Sequence, residues 1–227
     1  MKKKILIGLG VVTLLGVIAI IVVFSMDWGQ YESTLVKSEI TSTNDVDSAG
    51  NDLTLTPSFN DLNGRYVVTA ESENAEVLFE VDGLKNTKGG FDEFDVWFEV
   101  ANSVESAKLG VNIVSKSINT GNTMRDEHLL EEDFFHVEKY PMITYEANSI
   151  TWSEGVYTAN GELTLLETTK ELNFEFSHLG GGTNQENIEF EAFEGSFVFN
   201  RIEYGMEEDA SVGDDVTMSF YLELVKG

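Results

Sequence analysis

The sequence predicts an all-β domain, built as an antiparallel barrel or sandwich and preceded by one apolar segment long enough to cross a membrane. Three observations lead to this prediction: apolar and polar residues alternate in many stretches beyond residue 63, Gly and Asn recur between those stretches, and residues 5–26 carry no charge. Alternation gives each strand one dry and one wet face, as in antiparallel sheets. About eight or nine such strands joined by short turns are typical of a barrel or sandwich.

The N-terminal segment predicts a transmembrane helix or signal anchor. Residues 5–26 form an uncharged run of 22 residues. At about 1.5 Å per residue, such a helix extends roughly 33 Å and crosses the ~30 Å hydrocarbon layer. The lysines within residues 1–4 favour a cytoplasmic basic end, so the rest of a single-pass chain is expected outside. The alternative is a cleaved signal peptide, which would release a secreted domain.

Charge and cysteine content narrow the classes of partner and site. Beyond residue 26 the chain has 40 acidic and 11 basic residues, a net charge of −29. Such a surface repels the phosphates of nucleic acids, so no nucleic acid partner is expected. The chain has no cysteine, which excludes disulfides, thiolate metal sites and thiol catalysis.

Residues 27–62 predict an acidic flexible linker, because the polar, aromatic-free stretch from Ser38 to Asp52 cannot bury enough surface to order itself. The β domain is then expected over residues 63–227. Its turns are predicted at Asn160-Gly161 and Gly180–Gly182. The clearest alternating stretches are Ala75–Val81, Phe94–Val100, Leu109–Ile113, Ile143–Ala147, Leu172–Phe176 and Met218–Leu224.

One stretch breaks the alternation and predicts a short helical insertion. From Thr123 to Phe135 the apolar residues are spaced more like a helix than a strand. Thr123 is the expected N-terminal cap, with Asp126 three residues further on. Pro141 marks the return to extended structure. This insertion would cover one mouth of a barrel.

A series of motifs in the same region resembles the signature of the YceI family. The ordered pieces are Ser117-Ile118-Asn119-Thr120-Gly121, Arg125-Asp126-x-His128-Leu129, Asp133-Phe134-Phe135 with Tyr140-Pro141, Gly161-Glu162-Leu163-Thr164-Leu165, Asn200-Arg201-x-x-Tyr204-Gly205 and Val212-Gly213-Asp214-Asp215-Val216. The resemblance spans roughly residues 63–225. It departs from the family at residues 69–75 and 166–171, and these departures bear on the ligand more than on the fold.

The resemblance implies a closed, lipocalin-like antiparallel barrel of about eight strands whose interior holds a polyisoprenoid or similar lipid. Members are typically secreted or periplasmic and are not established enzymes. This chain would then sit in the bacterial cytoplasmic membrane with its domain on the periplasmic or extracellular side. The residues expected to line the ligand cavity are Phe79, Phe98, Val100, Ile113, Tyr145, Phe174, Phe176, Phe199 and Phe220.

Arg125 and Arg201 are rare cations in an acidic chain. Each is expected either to anchor the insertion to the barrel, through ion pairs or backbone carbonyls, or to contact a polar ligand headgroup. The histidines His128, His136 and His178 lack the spacing of a zinc site, and His178 is expected in a turn. Serine-nucleophile and phosphate-loop motifs are absent from the sequence.

The predicted function is therefore non-enzymatic binding or carriage of an apolar ligand, without a catalytic residue, cofactor or metal. From the residues alone a packed core is favoured over a cavity, and it is the resemblance to the YceI family that favours a cavity. A structural, envelope-stress or interaction domain without a ligand is the first alternative, and a hydrolase is the second. The sequence identifies no partner protein.

Overall fold

The computed structural model describes the β domain and a short segment before it. The described residues are 31–40, 45–46, 52–53, 62–69, 74–84, 86–101, 103–153 and 156–227. The predicted basic end at residues 1–4 and the predicted membrane helix at residues 5–26 lie outside them. Within the described ranges, no helix has the length and hydropathy needed to cross a bilayer.

The described residues form thirteen strands and one α-helix. The strands are β1 Asp45–Val46, β2 Asp52–Leu53, β3 Gly64–Thr69, β4 Ala75–Gly83, β5 Thr87–Phe91, β6 Phe94–Val100, β7 Lys108–Val114, β8 Ile118–Asn119, β9 Met142–Ser153, β10 Val156–Leu165, β11 Thr168–Thr183, β12 Glu189–Asn200 and β13 Val212–Lys226. The helix is α1, Thr123–Leu129. Short 3-10 turns occupy Val104–Ser106, Ser115–Ser117 and Ile202–Tyr204.

Eleven of these strands form one closed antiparallel sheet. β3 and β4 together make one strand of the barrel wall, as do β5 and β6, and β7 and β8. The two members of each pair follow one another along the same neighbouring wall strands, so each pair counts as one interrupted strand. In the described chain the wall therefore has eight strands, each paired with the next. It closes where β13 pairs with β12 on one edge and with β3 and β4 on the other. The predicted closed barrel of about eight strands is confirmed.

The strands form where the sequence alternates, and the alternation fixes which side faces inward. In β6, Phe94, Val96 and Phe98 are buried while Asp95 and Glu99 are exposed. The inward residues of all the wall strands belong to one hydrophobic cluster on the inside of the barrel. Burial of this core is the main contribution to stability, since apolar area removed from water contributes about 25 cal/mol per Å².

The two ends of the barrel differ. The end here called the upper end carries α1 and the connection from β12 to β13, while the lower end carries the turn from β11 to β12 and the C-terminus. α1 is shorter than the predicted insertion, and residues 130–139 form turns instead. The cap is Asn122 rather than Thr123, because the Asn122 side chain accepts a hydrogen bond of 3.2 Å from the Arg125 amide.

The two glycine sites predicted as turns lie inside strands, so those predictions were wrong. Asn160 and Gly161 lie in β10 opposite a bulge at Asn148 of β9, and Gly180–Gly182 belong to β11, just past a bulge at Leu179 against β12. Glycine is needed at position 161 because the backbone of the neighbouring strand β9 comes very close. A Cβ on Gly161 would lie 2.3 Å from the carbonyl oxygen of Glu146. A bulge and a turn both favour glycine, and sequence alone does not separate them.

Part of the predicted flexible linker packs on the domain. Residues 31–40, here called the strap, run along the outside of the barrel from Gly90, which faces the Tyr31 ring, to a bridge between Ile40 and Gly182. Its apolar side chains Leu35 and Ile40 pack on a small outer cluster of Phe190, Ala192 and Tyr221. The outward-facing apolar residues of β12 and β13 give this stretch a surface to bury, which its own composition does not reveal.

Candidate ligand cavity

The upper part of the barrel contains an apolar cavity of about 340 Å³. Eight of the nine residues predicted to contact a ligand line it: Phe79, Phe98, Ile113, Tyr145, Phe174, Phe176, Phe199 and Phe220. Val100 does not line it, although it is 2 % exposed and belongs to the core. The alternation correctly placed Val100 on the inner face, but it lies at the lower end of β6, opposite Gly64.

The lower end of the barrel is a packed floor beneath this cavity. Val100 belongs to the same core cluster as Ala107 and Ile150, both 0 % exposed, and none of the three lines the cavity. Leu62 and Tyr66, at the start of the first wall strand, are also buried in this core. The interior is therefore part packed core and part cavity, and the cavity is closed from below.

Aromatic rings form one side of the cavity. The Phe174 ring lies 5.0 Å from Tyr145, 4.8 Å from Phe197 and 5.9 Å from Phe220, measured between ring centroids. The Tyr145 hydroxyl donates a 3.1 Å hydrogen bond to the carbonyl oxygen of Leu172. Burial raises the pKa of Tyr145 above its usual value, so the phenol stays neutral and the cavity wall carries no charge there.

Arg125 stands on α1 at the upper rim of the cavity. Its Nε donates to Thr120 Oγ1 at 2.8 Å and a terminal nitrogen donates to the Thr120 carbonyl at 3.0 Å. The Asp126 carboxylate accepts from the Thr120 amide at 2.9 Å. Thr120 is itself fully buried just after β8. Arg125 thus fastens α1 to the end of a wall strand, and it also reaches the cavity.

Arg201 is almost completely buried, with 3 % of its surface exposed. Its guanidinium donates to three backbone carbonyls, those of Glu207 at 2.7 Å, Gly213 at 2.8 Å and Val212 at 3.3 Å. The Asp214 carboxylate is 3.9 Å away and largely exposed. The Arg201 guanidinium is therefore held mainly by backbone carbonyls rather than by an ion pair. The anchored segment is the connection from β12 to β13, which touches the insertion through a 3.3 Å bond from the Glu207 amide to the Asp133 carbonyl.

The upper rim also carries an acidic group that the sequence did not single out. Hydrogen bonds of 2.7 Å from the Ser211 hydroxyl and amide hold the Asp209 carboxylate and lower the pKa of Asp209. Arg201 and His128 lower it further. Asp209, Ser211, Arg125 and His128 all line the cavity, so a polar rim of mixed charge surrounds the top of an apolar chamber.

The barrel, its helical insertion and its closing motifs agree with the sequence resemblance, and a family model tests that agreement directly. The model of the YceI-like domain matches residues 36–224. The chain belongs to the YceI-like family. The match begins within the strap, which supports counting that segment with the YceI-like domain.

Curated relatives of this YceI-like chain include two bacterial UPF0312 proteins. One from Staphylococcus aureus (strain N315) is 34 % identical over 119 residues, covering 51 % of this chain and 67 % of that protein. One from Azotobacter vinelandii is 27 % identical over 148 residues, covering 63 % of this chain and 77 % of that protein.

Solved structures share the fold at low sequence identity. BcnA of Burkholderia cenocepacia has a TM-score of 0.59 and 18 % identity, over 67 % of this chain and 96 % of that one. A polyisoprenoid binding domain from Saccharophagus degradans has a TM-score of 0.56 and 10 % identity, over 73 % of this chain and 100 % of that one. At these identities the similarity establishes the fold.

The histidines of the YceI-like domain do not gather. His178 lies in β11 rather than in a turn; it is buried, stacks on Phe193, and has Nε2 2.7 Å from Glu191 Oε2. His128 pairs with Asp133 at 3.2 Å on the opposite end of the barrel. Across the ranges that the structure describes, no three His, Asp or Glu side chains converge as metal ligands would.

Several cavity residues were missed from the sequence. The rings of Phe91, Phe135, Phe193 and Phe197 line the chamber. For Phe193 and Phe197 a signal was available, because these residues and Phe199 alternate along β12. Phe91 and Phe135 lie where the period of two breaks, and only the closed barrel brings them together, with centroids 6.1 Å apart.

Proposed function

We propose that this YceI-like chain is a membrane-tethered extracytoplasmic binding or carrier protein for an apolar ligand, a polyisoprenoid or similar lipid held inside the barrel. The observation that carries the proposal is the apolar, aromatic-lined cavity of about 340 Å³ above a packed floor. Similarity to a domain described as polyisoprenoid-binding supports the choice of ligand class. The proposed role is non-enzymatic.

The size of the cavity favours a ligand over an empty interior. In core mutants, each Å³ of residual cavity costs about 24 cal/mol. A lasting void of 340 Å³ would by that measure cost about 8 kcal/mol, as large as the whole stability of a typical domain. Eight-stranded barrels are just wide enough either to be filled by side chains or to hold one small ligand. A bound lipid would replace the missing contacts.

The expected affinity follows from the same volume. An apolar cavity of ~150 Å³ holds one benzene, so this chamber accepts about a dozen carbon atoms. At ~0.8 kcal/mol per methylene, their burial contributes about 10 kcal/mol. Association and ordering cost at least ~4 kcal/mol, which leaves a dissociation constant of tens of micromolar for the interior alone. A polar end group would lie at the rim, within reach of Arg125, His128 and Asp209.

The membrane tether belongs to the same proposal. Residues 5–26 would hold the chain in the bacterial cytoplasmic membrane, with the lysines of residues 1–4 inside and the acidic domain outside. A carrier of membrane lipids gains from such a tether, since it keeps the binding site near its source at high effective concentration.

Two substitutions of the same kind test the proposal. Phe98→Trp narrows the cavity from inside, because Phe98 lines it and is 4 % exposed. Phe190→Trp enlarges an equally buried ring, 3 % exposed, in the outer cluster under the strap. The full chain should be purified in one mild detergent, extracted with organic solvent for mass spectrometry, and titrated with prenols while its melting temperature is followed.

We expect a lipid in the extract of the wild-type chain and of Phe190→Trp, and melting temperatures that rise with added prenol. Phe98→Trp should retain less lipid and show a smaller rise. If the extract holds no lipid, prenols leave the melting temperature unchanged, and the two variants are merely destabilised alike, the carrier role is wrong. The chain would then be an interaction domain without a ligand.

A further inference from the structure

The wall of the barrel has a gap between β11 and β12. Their ladder runs from the Phe176–Gly195 pair down to the Thr183–Glu189 pair. Above it, residues 168–175 pair only with β10 and residues 196–200 only with β13, although all of these residues are described. We call this unpaired stretch the fissure. At ~3.3 Å per residue, it extends about 16 Å toward the upper end.

Apolar side chains close the inner side of the fissure. The rings of Phe174 and Phe197, one from each edge, stack at 4.8 Å, and both line the cavity. Leu172 and Phe199 continue the two edges upward as partly buried residues packed against the core. Side-chain packing rather than backbone hydrogen bonding therefore joins the two strands here. Such a contact opens at lower cost than a paired ladder, because no backbone hydrogen bond has to break.

One ion pair crosses the top of the fissure. Lys170 of β11 lies 2.9 Å from Glu203, which follows β12, and the two side chains are 40 % and 63 % exposed. Exposed pairs of this kind contribute little, so the contact closes the fissure only weakly.

The outer surface has a depression at the lower end of the fissure. A second cavity, of about 500 Å³, lies there, with Glu175 and Ser196 from the two edges among its walls. It shares Phe176, Ser219 and Phe220 with the inner chamber. Only a thin layer of side chains thus separates the chamber from this outer groove.

The chamber is too small for a long polyisoprenoid. It accepts about a dozen carbon atoms, and the packed floor of Val100, Ala107 and Ile150 blocks extension downward. The upper rim is polar, with Arg125 and Asp209 beside it. The inner side of the fissure is formed by aromatic rings, so an apolar chain displaced from the interior meets no charged group where it enters the wall. Beyond the wall, the groove offers Val156, Phe176, Phe220 and Tyr221 as apolar contacts between the charged side chains of Lys37, Glu76, Glu175 and Glu194.

We propose that the fissure is a lateral portal through which the tail of a long polyisoprenoid crosses the barrel wall. The inference rests on the proposed lipid-binding function and names its ligand class, chains longer than the chamber. The tail passes between Phe174 and Phe197, which swing apart, and continues into the outer groove. The tail crosses the wall at one height along the fissure. Most of the unpaired backbone N–H and C=O groups of β11 and β12 therefore stay in contact with water.

The absence of cysteine in the chain makes the portal easy to lock. Extending the register beyond the Phe176–Gly195 pair places Asn173 opposite Val198, and both are exposed on the outer face. The variant Asn173→Cys/Val198→Cys can therefore be closed by oxidation, or by a short bis-maleimide if the disulfide does not form. The matched control is Ser177→Cys/Glu194→Cys, two exposed positions that already pair in the ladder.

The assay compares a short prenol of about 10 carbons, which fits the chamber, with a long prenol of about 45 carbons, which does not. Dissociation constants are measured for the full-length variants, locked and unlocked. Closing the Asn173/Val198 pair should raise the dissociation constant of the long prenol at least about tenfold, the effect of leaving roughly two of its methylenes in water. The dissociation constant of the short prenol should stay unchanged, and closing the control pair should change neither constant.

The outcomes separate this inference from the function on which it rests. If neither prenol binds the unlocked chain, the lipid-binding function fails, and the portal with it. If both bind and the lock leaves the long prenol unaffected, the portal is wrong while the function stands. Equal weakening of both prenols by the lock would also overturn the portal, because it would show distortion of the chamber rather than obstruction of a tail.

Discussion

Replacing Arg201 by methionine should destabilise the domain far more than replacing an ordinary surface cation. The guanidinium is 3 % exposed and donates to the carbonyls of Glu207, Gly213 and Val212 at 2.7, 2.8 and 3.3 Å. Methionine has a similar length, so Arg201→Met removes the charge and the donors without opening a large cavity. The three carbonyls would then depend on water at the edge of the barrel.

The magnitude follows from the number of bonds lost. Hydrogen bonds to a charged group contribute about 1.5–3 kcal/mol each. The bond to Val212 is long, at 3.3 Å, and part of the exposed connection can rehydrate. We therefore expect a loss of about 3–5 kcal/mol in the free energy of unfolding. For a domain of this size, each kcal/mol lowers the melting temperature by roughly 2–4 °C, so a decrease of about 6–20 °C is expected.

Calorimetry of the full chain, together with denaturant unfolding, measures this loss. Lys88→Met is the matched control, since Lys88 pairs with Glu80 at 3.1 Å but is 60 % exposed. Such an exposed pair contributes at most about 1 kcal/mol. If Arg201→Met and Lys88→Met lower the melting temperature equally, the carbonyl-anchoring role of Arg201 is refuted. Lipid binding should weaken in Arg201→Met as well, because the anchored connection supplies Met206, Asp209 and Ser211 to the rim.

Four further predictions concern the insertion, the cavity wall and the N-terminus. Phe134→Ala should cost about 3–5 kcal/mol in denaturant unfolding, because the ring is 7 % exposed; a change within error would make the insertion a loose surface loop. Arg125→Ala should cost roughly 1.5–3 kcal/mol, since its two bonds fasten α1 to Thr120; an unchanged melting temperature would contradict that role. Burial raises the pKa of Tyr145, so the folded chain holds this proton more tightly than the unfolded chain, and stability should fall as pH rises above about 10; Tyr145→Phe should flatten that fall, and an identical pH profile would refute it. Mass spectrometry of the mature protein should find residues 5–26 retained, with the domain open to a membrane-impermeant label; a chain that starts near Asp27 would favour the cleaved signal peptide.

Patterns with a period of two predicted much of this fold. The alternation in β6 or β13 shows which side chains face inward before any neighbour is known, because successive residues of a strand point to opposite faces. Eight of the nine predicted cavity residues therefore line the chamber. Their contact with a ligand stays a prediction. Val100 shows the limit of the method, since alternation gives the face of a strand but not the height along the barrel.

Glycines and the segment before the barrel were harder to read. Gly161 and Gly180–Gly182 lie beside bulges and in close strand contacts, and the residues that require them, such as Glu146, are distant in sequence. The strap looked like a linker because its composition is polar. Its partners include Glu223, which accepts a 2.7 Å bond from the Ser38 amide 185 residues away. No local pattern records a contact of that kind.

By itself, the sequence determined the all-β class, the inward faces, the position of the insertion and the family motifs, all of which depend on neighbouring residues. Tertiary structure decided how the apolar faces divide between a packed floor and a chamber, which connections form the polar rim, and where β11 and β12 separate. These features depend on the register and height of strands brought together by closure of the barrel. Arg201 combines both kinds of information: its rarity in an acidic chain marked it as important, and only the folded connection around it showed that backbone carbonyls hold it.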